Sequence, residues 1–357
     1  MFGPLLGSIA VLLFLATVIA RVPMRWWWIR SFEFPRVQIA TLALFPLLLA
    51  LVLPISTSWR IFTICVALLT VALQLRHILP WTPLWAKDVN DADESEAAPG
   101  ITLMIANVLT PNRQADTLID MIKARQPDVI LTLESDEWWQ SQLDPHLDRE
   151  WPYSVKIPLD NLYGMHLYSR LPMEDTKVNW LIQDDIPSIT TYLVLEDGSR
   201  IRFYAVHPRP PAPSESKRSL WRDGELLLVG KTIHKKPYPT LVAGDLNDVA
   251  WSRTTRAFCR ISGMLDPRRG RGMFSSFHAH YPPLRWPLDH IFVTQEFTLL
   301  SMQRLSAFGS DHFPILVSLR YRPSRADEHD TPSADSEERQ EARQTIEKAK
   351  STTQPRE

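Results

Sequence analysis

Long stretches without a charged side chain occupy the start of this chain, and they limit its possible folds more than any other feature. Phe2–Ala20 and Val37–Trp59 are uncharged, and each is long enough to cross a hydrocarbon core of roughly 30 Å as a helix. Ile61–Leu75 is also uncharged but shorter, and an arginine brackets it on each side. We expect an N-terminal transmembrane segment over residues 1–80, with two or three helices.

The connector Arg21–Arg30 combines three arginines with three tryptophans, which is typical of a bilayer interface. By the positive-inside rule it faces the cytoplasm. With three spans the polar part of the chain follows on the cytoplasmic side, and with two it follows outside. A cleaved signal peptide is the alternative for the first run, but no basic residue precedes that run. We expect a multi-pass protein of bacterial inner-membrane type, with three spans.

Composition divides the rest of the chain into three regions. Residues 81–100 are acidic and lack apolar periodicity, which predicts a solvated linker. Residues 101–321 alternate apolar runs with polar segments, and residues 322–357 are charged and poor in large apolar side chains, which predicts a disordered tail. The net charge of −1 gives no overall attraction to nucleic acid, so a polyanionic substrate would need a local basic patch.

The region 101–321 has the pattern of a mixed α/β domain. Short apolar runs predict buried strands, and two segments with helical spacing predict helices. The runs are Ile101–Val108, Val129–Leu133, Ile201–Val206, Thr240–Ala243, Ile291–Val293 and Ile315–Leu319. The helical segments are Asp116–Arg125, which Pro127 ends, and Leu220–His234.

Polar residues recur where these runs end. Asn107 closes one run, Glu134 and His207 follow two others, and Asp245 follows Leu241–Gly244. A strand end holds a side chain rigidly and directs it into a cleft. Each residue alone is explained by a cap or a turn, but their recurrence predicts one shared site.

These residue types suit metal-assisted hydrolysis of a phosphate ester, which needs a cation, a base and stabilisation of the leaving oxygen. Glu134 is a suitable ligand for a hard cation, and Asn107 and Asp311 would complete the coordination of that cation. No cluster of Cys with His offers a zinc-type site, so Mg²⁺ or Mn²⁺ is expected. His312 would be the base, oriented by Asp289.

Three further residues complete the predicted catalytic set. His207 would donate a proton to the leaving group or hydrogen-bond the transition state. Asp245 and Asn247 would hold the nucleophilic water, a phosphate oxygen or a second metal.

An ordered series of motifs resembles the endonuclease/exonuclease/phosphatase (DNase I-like) superfamily over roughly Ile101–Arg320. The motifs are Asn107, Leu133-Glu134, Ser169-Arg170-Leu171-Pro172, Val206-His207, Gly244-Asp245-Leu246-Asn247, Leu288-Asp289-His290-Ile291-Phe292 and Ser310-Asp311-His312. The resemblance implies a four-layer α/β sandwich, with two mainly antiparallel sheets flanked by helices. It also implies divalent-metal phosphoesterase activity, with metal held chiefly by Glu134 and with His312 paired to a carboxylate.

The chain departs from the repair-endonuclease branch of that superfamily. Leu133 stands where Gln commonly precedes the metal-binding Glu, and Ala106 replaces an aromatic residue. Tyr168 and Tyr204 are the candidates for that branch's active-site tyrosine. These departures do not favour specific recognition of abasic DNA.

The substrate remains open between two classes. Basic residues at 209, 217, 218 and 222 and at 268, 269 and 271 are candidates for contacts with substrate phosphates or lipid head groups. Arg209 and Arg170 are the candidates for direct phosphate contacts. We expect a nuclease-like phosphodiesterase. The alternatives are a phosphatase or phospholipase C-like hydrolase of lipid or inositol phosphates, and an inactive membrane interaction module. The expected partners are nucleic acid or phospholipid substrate and membrane lipid, with no protein partner implied.

Overall fold

A computed structural model describes residues 2–93 and 98–352 of the chain. The chain forms two compact units. The first, called here the helical unit, contains the chain up to Ala86 together with residues 211–219 and 270–272. The second, called here the sandwich unit, contains residues 87–210, 220–269 and the chain from Met273 onward.

The helical unit consists of apolar helices, and two of them begin or end at other residues than the uncharged runs predict. Its helices are α1 (Phe2–Ile19), α2 (Trp27–Arg30), α3 (Arg36–Val52) and α4 (Thr57–Ile78). The single span predicted over Val37–Trp59 is wrong, because α3 ends at Val52 and α4 begins at Thr57. Pro54 explains the break: it has no N–H to donate and disfavours helical backbone in the residue before it, and Leu53 is extended, with ψ 147°.

Among the described residues, two helical stretches have the length and hydropathy needed to cross a membrane. They are Phe2–Ile19 and Thr57–Trp81. The shortest of the three uncharged runs, Ile61–Leu75, is therefore part of the longer of the two. A third candidate arises when Trp27–Glu33 and Arg36–Val52, which meet at a bend of 69°, are counted as one span.

The sandwich unit contains the remaining elements. Its helices are α5 (Ala115–Arg125), α6 (Glu137–Leu147), α7 (Leu220–Lys235), α8 (Arg253–Ser262) and α9 (Ser336–Ser351). Its strands are β1 (Gly100–Asn107), β2 (Val129–Leu133), β3 (Tyr153–Ile157), β4 (Met165–Ser169), β5 (Met173–Asn179), β6 (Ser188–Val194), β7 (Arg200–Ala205), β8 (Thr240–Asp245), β9 (Asp289–Val293), β10 (Phe297–Arg304) and β11 (Ile315–Tyr321).

Two mixed sheets form the middle layers of this unit. One has the order β10-β11-β1-β2-β4-β3 and the other the order β5-β6-β7-β8-β9. Most neighbours are antiparallel, while β1 with β2 and β7 with β8 are parallel. The inner faces share one apolar core that includes Leu131 and Phe203. The outer faces pack against α5 and α6 on one side and against α7 and α8 on the other, so the predicted four-layer α/β sandwich is confirmed.

Strand and helix positions agree with the apolar periodicity wherever the pattern is strong. β2 spans the same five residues as the predicted run, because all five side chains are buried and both faces must be apolar. α5 begins one residue before the predicted helix and ends with it. Strands such as β5 were not predicted, because their middle residues are exposed and polar and give no apolar run.

Two segments predicted to be solvated are ordered. Residues 87–93 of the predicted linker lie along β10, where Ala92 donates its N–H to Leu299 at 2.8 Å, and Val89 is fully buried. β10 is an edge strand, so its unpaired backbone groups explain this pairing. Residues 94–97 of the linker and 353–357 of the tail lie outside the described residues.

The predicted disordered tail instead contains helix α9. Ala342, Ile346 and Ala349 are buried, and they pack in apolar clusters with residues of α7 and α8. Charged side chains on its other faces pair with α8, as in Arg253–Glu341 at 2.8 Å. Small apolar residues at helical spacing supply a narrow face that composition averages conceal.

Candidate active site

The ends of the two sheets meet at Asn107. The side chain of Asn107, at the end of β1, donates from Nδ2 to Glu134 Oε1 at 2.7 Å and to Asp245 Oδ2 at 3.1 Å. Glu134 follows β2 and Asp245 ends β8. One amide therefore bridges a carboxylate from each sheet, so side chains at separate strand ends lie together.

Unusual backbone conformations direct these side chains into the site. Glu134 and Asn247 have positive φ, 59° and 51°, a region that non-glycine residues seldom adopt. Gly244 lies so close to β7 that an added Cβ would be 1.9 Å from the carbonyl oxygen of Val206. Only glycine permits this approach, which places Asp245 beside His207, the second residue after β7.

Burial raises the pKa of two carboxylates of the site. It raises the pKa of Glu134 to about 7, against smaller lowerings by the hydrogen bond from Asn107 and the charge of His312. It also raises the pKa of Asp245, an effect that the charge of His312 opposes and the charge of Asp289 increases. Removing a carboxylate from water disfavours its charged form, so this cluster would gain from a cation.

His312 forms the predicted pair with Asp289. Its Nδ1 lies 2.7 Å from Asp289 Oδ2, and its Nε2 lies 3.6 Å from Asp245 Oδ2. Burial alone would lower the pKa of His312, but the charges of Asp289 and Asp245 outweigh burial and raise the pKa to about 10. The ring is therefore fixed in orientation by one carboxylate and directs its other nitrogen toward a second.

His207 also lies near Asp245, but its surroundings favour the neutral ring. Its Nε2 lies 3.8 Å from Asp245 Oδ2 and its side chain is 2% exposed. Burial, and secondarily the charge of His312, lowers the pKa of His207 to about 3. The ring packs beside Tyr163, with centroids 5.3 Å apart. The two histidines thus favour opposite charge states.

Tyr163 lies next to the site, whereas the two tyrosines named from the sequence do not. Tyr168 donates its hydroxyl to Asp144 at 2.9 Å in the cluster beneath α5 and α6. Tyr204 packs in the cluster beneath α7 and α8. Both point to the outer faces of the sheets, so neither is an active-site tyrosine. Nothing in the sequence pattern distinguished Tyr163, which lies in a loop.

Two sets of side chains offer metal-ligand atoms in close proximity. Glu134, His207 and Asp245 each provide one such atom within 4.8 Å of the others, and so do Asp245, Asp289 and His312. Asp311 adds a carboxylate whose Oδ1 is buried without a hydrogen-bond partner among the described residues. Most of these donor atoms are carboxylate oxygens, which fit a hard divalent cation such as Mg²⁺ or Mn²⁺.

Asn107 differs from its predicted role as a ligand. Its amide nitrogen faces Glu134 and Asp245, while its oxygen accepts the N–H of Leu109 at 3.1 Å. Two facing carboxylates require a donor between them, which explains this orientation. Asn107 therefore acts on the carboxylates rather than offering an oxygen to a cation in this arrangement.

Asn247 is tied to both neighbouring strands. Its N–H donates to Asp245 Oδ1 at 2.8 Å, and its Nδ2 donates to the carbonyl oxygen of Pro208 at 3.2 Å. Pro208 directly follows His207, so Asn247 links the two loops that carry Asp245 and His207. The structure places Asn247 in the site, next to the residues with which it was grouped.

Two serines fix the loops that carry the His312–Asp289 pair. The hydroxyl of Ser310 accepts the N–H of His312 at 3.0 Å and donates to the carbonyl oxygen of Asn107 at 2.7 Å. The hydroxyl of Ser276 accepts the N–H of Asp289 at 3.0 Å. Sequence reasoning missed Ser276, because it is distant in sequence from the residues it supports.

Two arginines expected to contact phosphates are instead buried beneath the site. Arg222 donates to the carbonyl oxygen of Asn247 at 2.8 Å, and Arg268 donates to that of Asp289 at 3.2 Å. Both are 0% exposed, and Arg268 pairs with Asp266 at 2.6 Å. They cannot reach a substrate, and they position the backbone of site residues through charge-assisted hydrogen bonds.

Arg209 and Arg170 have different positions relative to the site. Arg209 lies over the ring of Tyr163 at 5.0 Å and pairs with Asp185 at 2.7 Å, so it borders the site with its charge already engaged. Arg170 follows β4 at the end that pairs with Val129, the opposite end of β2 from Glu134. A five-residue strand separates the two by roughly 15 Å. Arg170 is therefore wrong as a phosphate contact.

Comparison with known proteins supports the same fold. The model of a family described as the Endonuclease/Exonuclease/phosphatase family matches residues 104–312. None of the curated proteins matches the sequence significantly.

Several solved structures are similar at low identity. D. rerio TDP2 complexed with single strand DNA product has a TM-score of 0.51 and 14% identity, over 62% of this chain and 99% of that one. The human Nocturnin catalytic domain with bound sulfate has a TM-score of 0.51 and 17% identity, over 63% and 96%. An endonuclease/exonuclease/phosphatase family protein from Bacteroides thetaiotaomicron has a TM-score of 0.51 and 15% identity, over 64% and 98%.

Proposed function

Because this chain belongs to the endonuclease/exonuclease/phosphatase family, we propose that it is a membrane-anchored, divalent-metal-dependent hydrolase of phosphodiester bonds. Members of the family hydrolyse phosphate esters and include nucleases, phosphodiesterases and phosphatases. One observation carries the proposal for this chain. His312, held by Asp289 at 2.7 Å, shares a buried pocket with Asp245, which Asn107 links to Glu134.

In the proposed reaction, His312 accepts a proton from the attacking water. Glu134 and Asp311 would hold the metal. Asp289 fixes the ring through Nδ1, and the charges of Asp289 and Asp245 keep the ring protonated near pH 7 by raising the pKa of His312 to about 10. Offsetting those charges with a bound cation would lower the pKa of His312, and Nε2 would then take a proton from the attacking water. A divalent cation, when bound, would neutralise these carboxylates and polarise the phosphate. Asp245 and Asn247 would orient the water or a phosphate oxygen.

His207 suits a hydrogen-bonding role on the other side of the pocket. Its low pKa keeps the ring neutral near pH 7, so it donates a hydrogen bond without adding charge. The leaving oxygen of a diester gains negative charge as its bond to phosphorus breaks. His207 would stabilise that charge, and a neutral donor costs less in a buried site than a charged one.

The helices would anchor the enzyme with the sandwich unit on the cytoplasmic side. α1 and α4 are parallel, because Gly3 lies against Trp59 near their starts and Gln74 donates to Thr17 at 2.8 Å near their ends. Arg36, at the start of α3, donates to Gln74, so α3 is antiparallel to both. If all three cross the membrane, the chain after α4 would lie on the same side as the arginine-rich connector, which the positive-inside rule assigns to the cytoplasm.

Hydrolysis of lipid or inositol phosphates is the second candidate. The sandwich unit has 30 Lys and Arg against 38 Asp and Glu, a net charge of −8. A long polyanion is repelled by such a charge unless a local patch compensates, whereas a small head group is less affected. The similar TDP2 structure holds a DNA product, which supports testing nucleic acid first.

An assay of the full chain in detergent tests the proposal. We expect hydrolysis of bis(p-nitrophenyl) phosphate with Mg²⁺ or Mn²⁺, and none in excess EDTA. Glu134→Gln should lower the rate and raise the metal concentration needed for half-maximal activity, while Glu137→Gln on the exposed start of α6 serves as the control. Equal rates with and without EDTA would exclude the metal mechanism.

A substrate panel then separates the two candidates. It contains plasmid DNA, RNA, sphingomyelin, phosphatidylinositol phosphates and soluble inositol phosphates. A clear preference for lipid head groups would replace the nuclease-like activity by the second candidate. Orientation needs a separate test with a reporter fused after Trp85, since export of that reporter would contradict the cytoplasmic placement.

A further inference from the structure

Positive charge is concentrated at one end of the helical unit. The unit contains nine Lys and Arg against two acidic residues, a net charge of +7. Only Arg60 lies near the start of α4, where it donates to the carbonyl oxygens of Ala50 and Leu53. The other eight lie in or beside the connector, at the start of α3, at the end of α4, or in the two later segments that belong to this unit. Arg30 and Arg36 are buried, whereas Arg21, Arg76, Lys217 and Arg218 are exposed. The exposed cations have the distribution expected of a surface that faces anionic lipid.

Residues 211–219 form part of this basic end. Trp27 donates its N–H to the carbonyl oxygen of Lys217 at 3.0 Å, and Ser219 donates to that of Arg25 at 2.8 Å. The guanidinium of Arg218 lies 4.7 Å from the centre of the Trp26 ring. The segment therefore pairs with the connector along its backbone and through a cation–π contact. Its two cations are exposed.

Residues 270–272 join the same end of the helices. Gly270 donates its N–H to the carbonyl oxygen of Pro80 at 2.9 Å, directly after α4. Trp28 and Trp85 are exposed at this end, 46% and 45%, and Leu84 is 86% exposed. Tryptophans with exposed arginines and lysines are the composition of the head-group layer of a membrane.

We propose that Lys217 and Arg218, with the connector residues Trp26–Trp28, form a surface that binds the head groups of anionic phospholipids. The proposal rests on the membrane anchoring given under the proposed function. Each cation near an anionic leaflet is attracted by its surface potential, and the attraction falls off within a Debye length. The segment begins four residues after His207 in the chain.

Hydrogen–deuterium exchange of the full chain in nanodiscs tests this surface. Nanodiscs of phosphatidylcholine alone are compared with nanodiscs that also contain phosphatidylglycerol. We expect amides of residues 211–219 to exchange roughly fivefold more slowly, or slower still, in the anionic nanodiscs, and this protection to be lost at high salt. Lys217→Glu with Arg218→Glu should abolish the difference, whereas Lys235→Glu with Lys236→Glu, at the exposed end of α7, should preserve it.

Three results would overturn the surface. Equal exchange in both lipids would show that anionic head groups are not bound. Equal protection by inorganic phosphate with phosphatidylcholine nanodiscs would show a phosphate site rather than a membrane surface. Release of the chain from membranes by alkaline extraction would show that the helices do not anchor it, and the proposed surface would then have no membrane to face. This last result is independent of any hydrolase activity.

Discussion

The two units differ in net charge and in where their charged side chains lie. In the helical unit, with its net charge of +7, the basic side chains collect at one end, and large apolar residues such as Leu12 and Phe45 are 65% and 63% exposed. In the sandwich unit, with a net charge of −8, arginines and carboxylates are buried beneath the site, as in Arg268–Asp266. The first arrangement is typical of helices that cross a membrane, whereas the second requires partners from elsewhere in the chain.

That difference determines what a mutation would do in each unit. A buried charge without its partner costs several kcal/mol, while a polar contact between membrane helices costs about 1 kcal/mol. We therefore expect large effects in the sandwich unit and small effects in the helical unit.

His312→Ala should have the largest effect on function. We expect turnover of a phosphodiester to fall by at least ~100-fold, because the variant removes the proposed base. His234→Ala, at the exposed end of α7, is the matched control and should retain activity. Near-normal turnover of His312→Ala, in a variant with unchanged thermal unfolding, would dismiss the base assignment.

Arg268→Met should have the largest effect on stability. The variant leaves Asp266, which is 2% exposed, without its partner, so we expect a loss of about 3–5 kcal/mol in the free energy of unfolding. Arg269→Met is the neighbouring control, since Arg269 is 35% exposed and its pair with Asp88 spans 3.4 Å. Its cost should be below about 1 kcal/mol. Similar costs for the two variants would contradict a positioning role for Arg268.

Glu225→Gln should change how stability depends on pH. Burial raises the pKa of Glu225, on α7, from its ordinary 4.5 to about 8 in the folded chain. The folded state therefore keeps a proton that the unfolded state releases between these values, and stability falls as pH rises through that window. Gln cannot ionise, so the variant should lose this fall and have the higher melting temperature above pH 8.

Thermal unfolding from pH 5 to pH 9 measures this difference. Glu137→Gln, on an exposed turn of α6, should leave the wild-type slope unchanged. An identical slope in Glu225→Gln would mean that Glu225 does not retain its proton on folding.

Gln74→Leu should have the smallest effect. The variant removes the hydrogen bonds that connect α4 to Thr17 of α1 and to Arg36 of α3. We expect a loss of about 0.6–2 kcal/mol in the stability of the helical unit in detergent. Leu69→Ala, at a 48% exposed position of α4, provides the control. A loss as large as that of Arg268→Met would remove the contrast between the two units.

Much of the site could be predicted because its residues follow strong apolar runs. Glu134 follows β2, His207 lies just beyond β7 and Asp245 ends β8. His312 lies beside Asp311 in a recognisable motif. Fully buried strands are visible in sequence because both of their faces are apolar. Whatever depends on a contact between distant segments, such as Ser276 with Asp289, leaves no local signal.

The sequence alone determined that apolar helices occupy the first part of the chain, that the polar part alternates strands with helices, and that polar residues recur at strand ends, because hydropathy and its period are local properties. Only the tertiary structure decided that Arg222 and Arg268 are buried supports, that Arg170 lies at the wrong end of β2, and that the charged C-terminal segment packs as α9. The physical reason is that burial and charge pairing depend on residues far apart in the chain. Identical arginines can therefore contact solvent, lipid or a buried carboxylate.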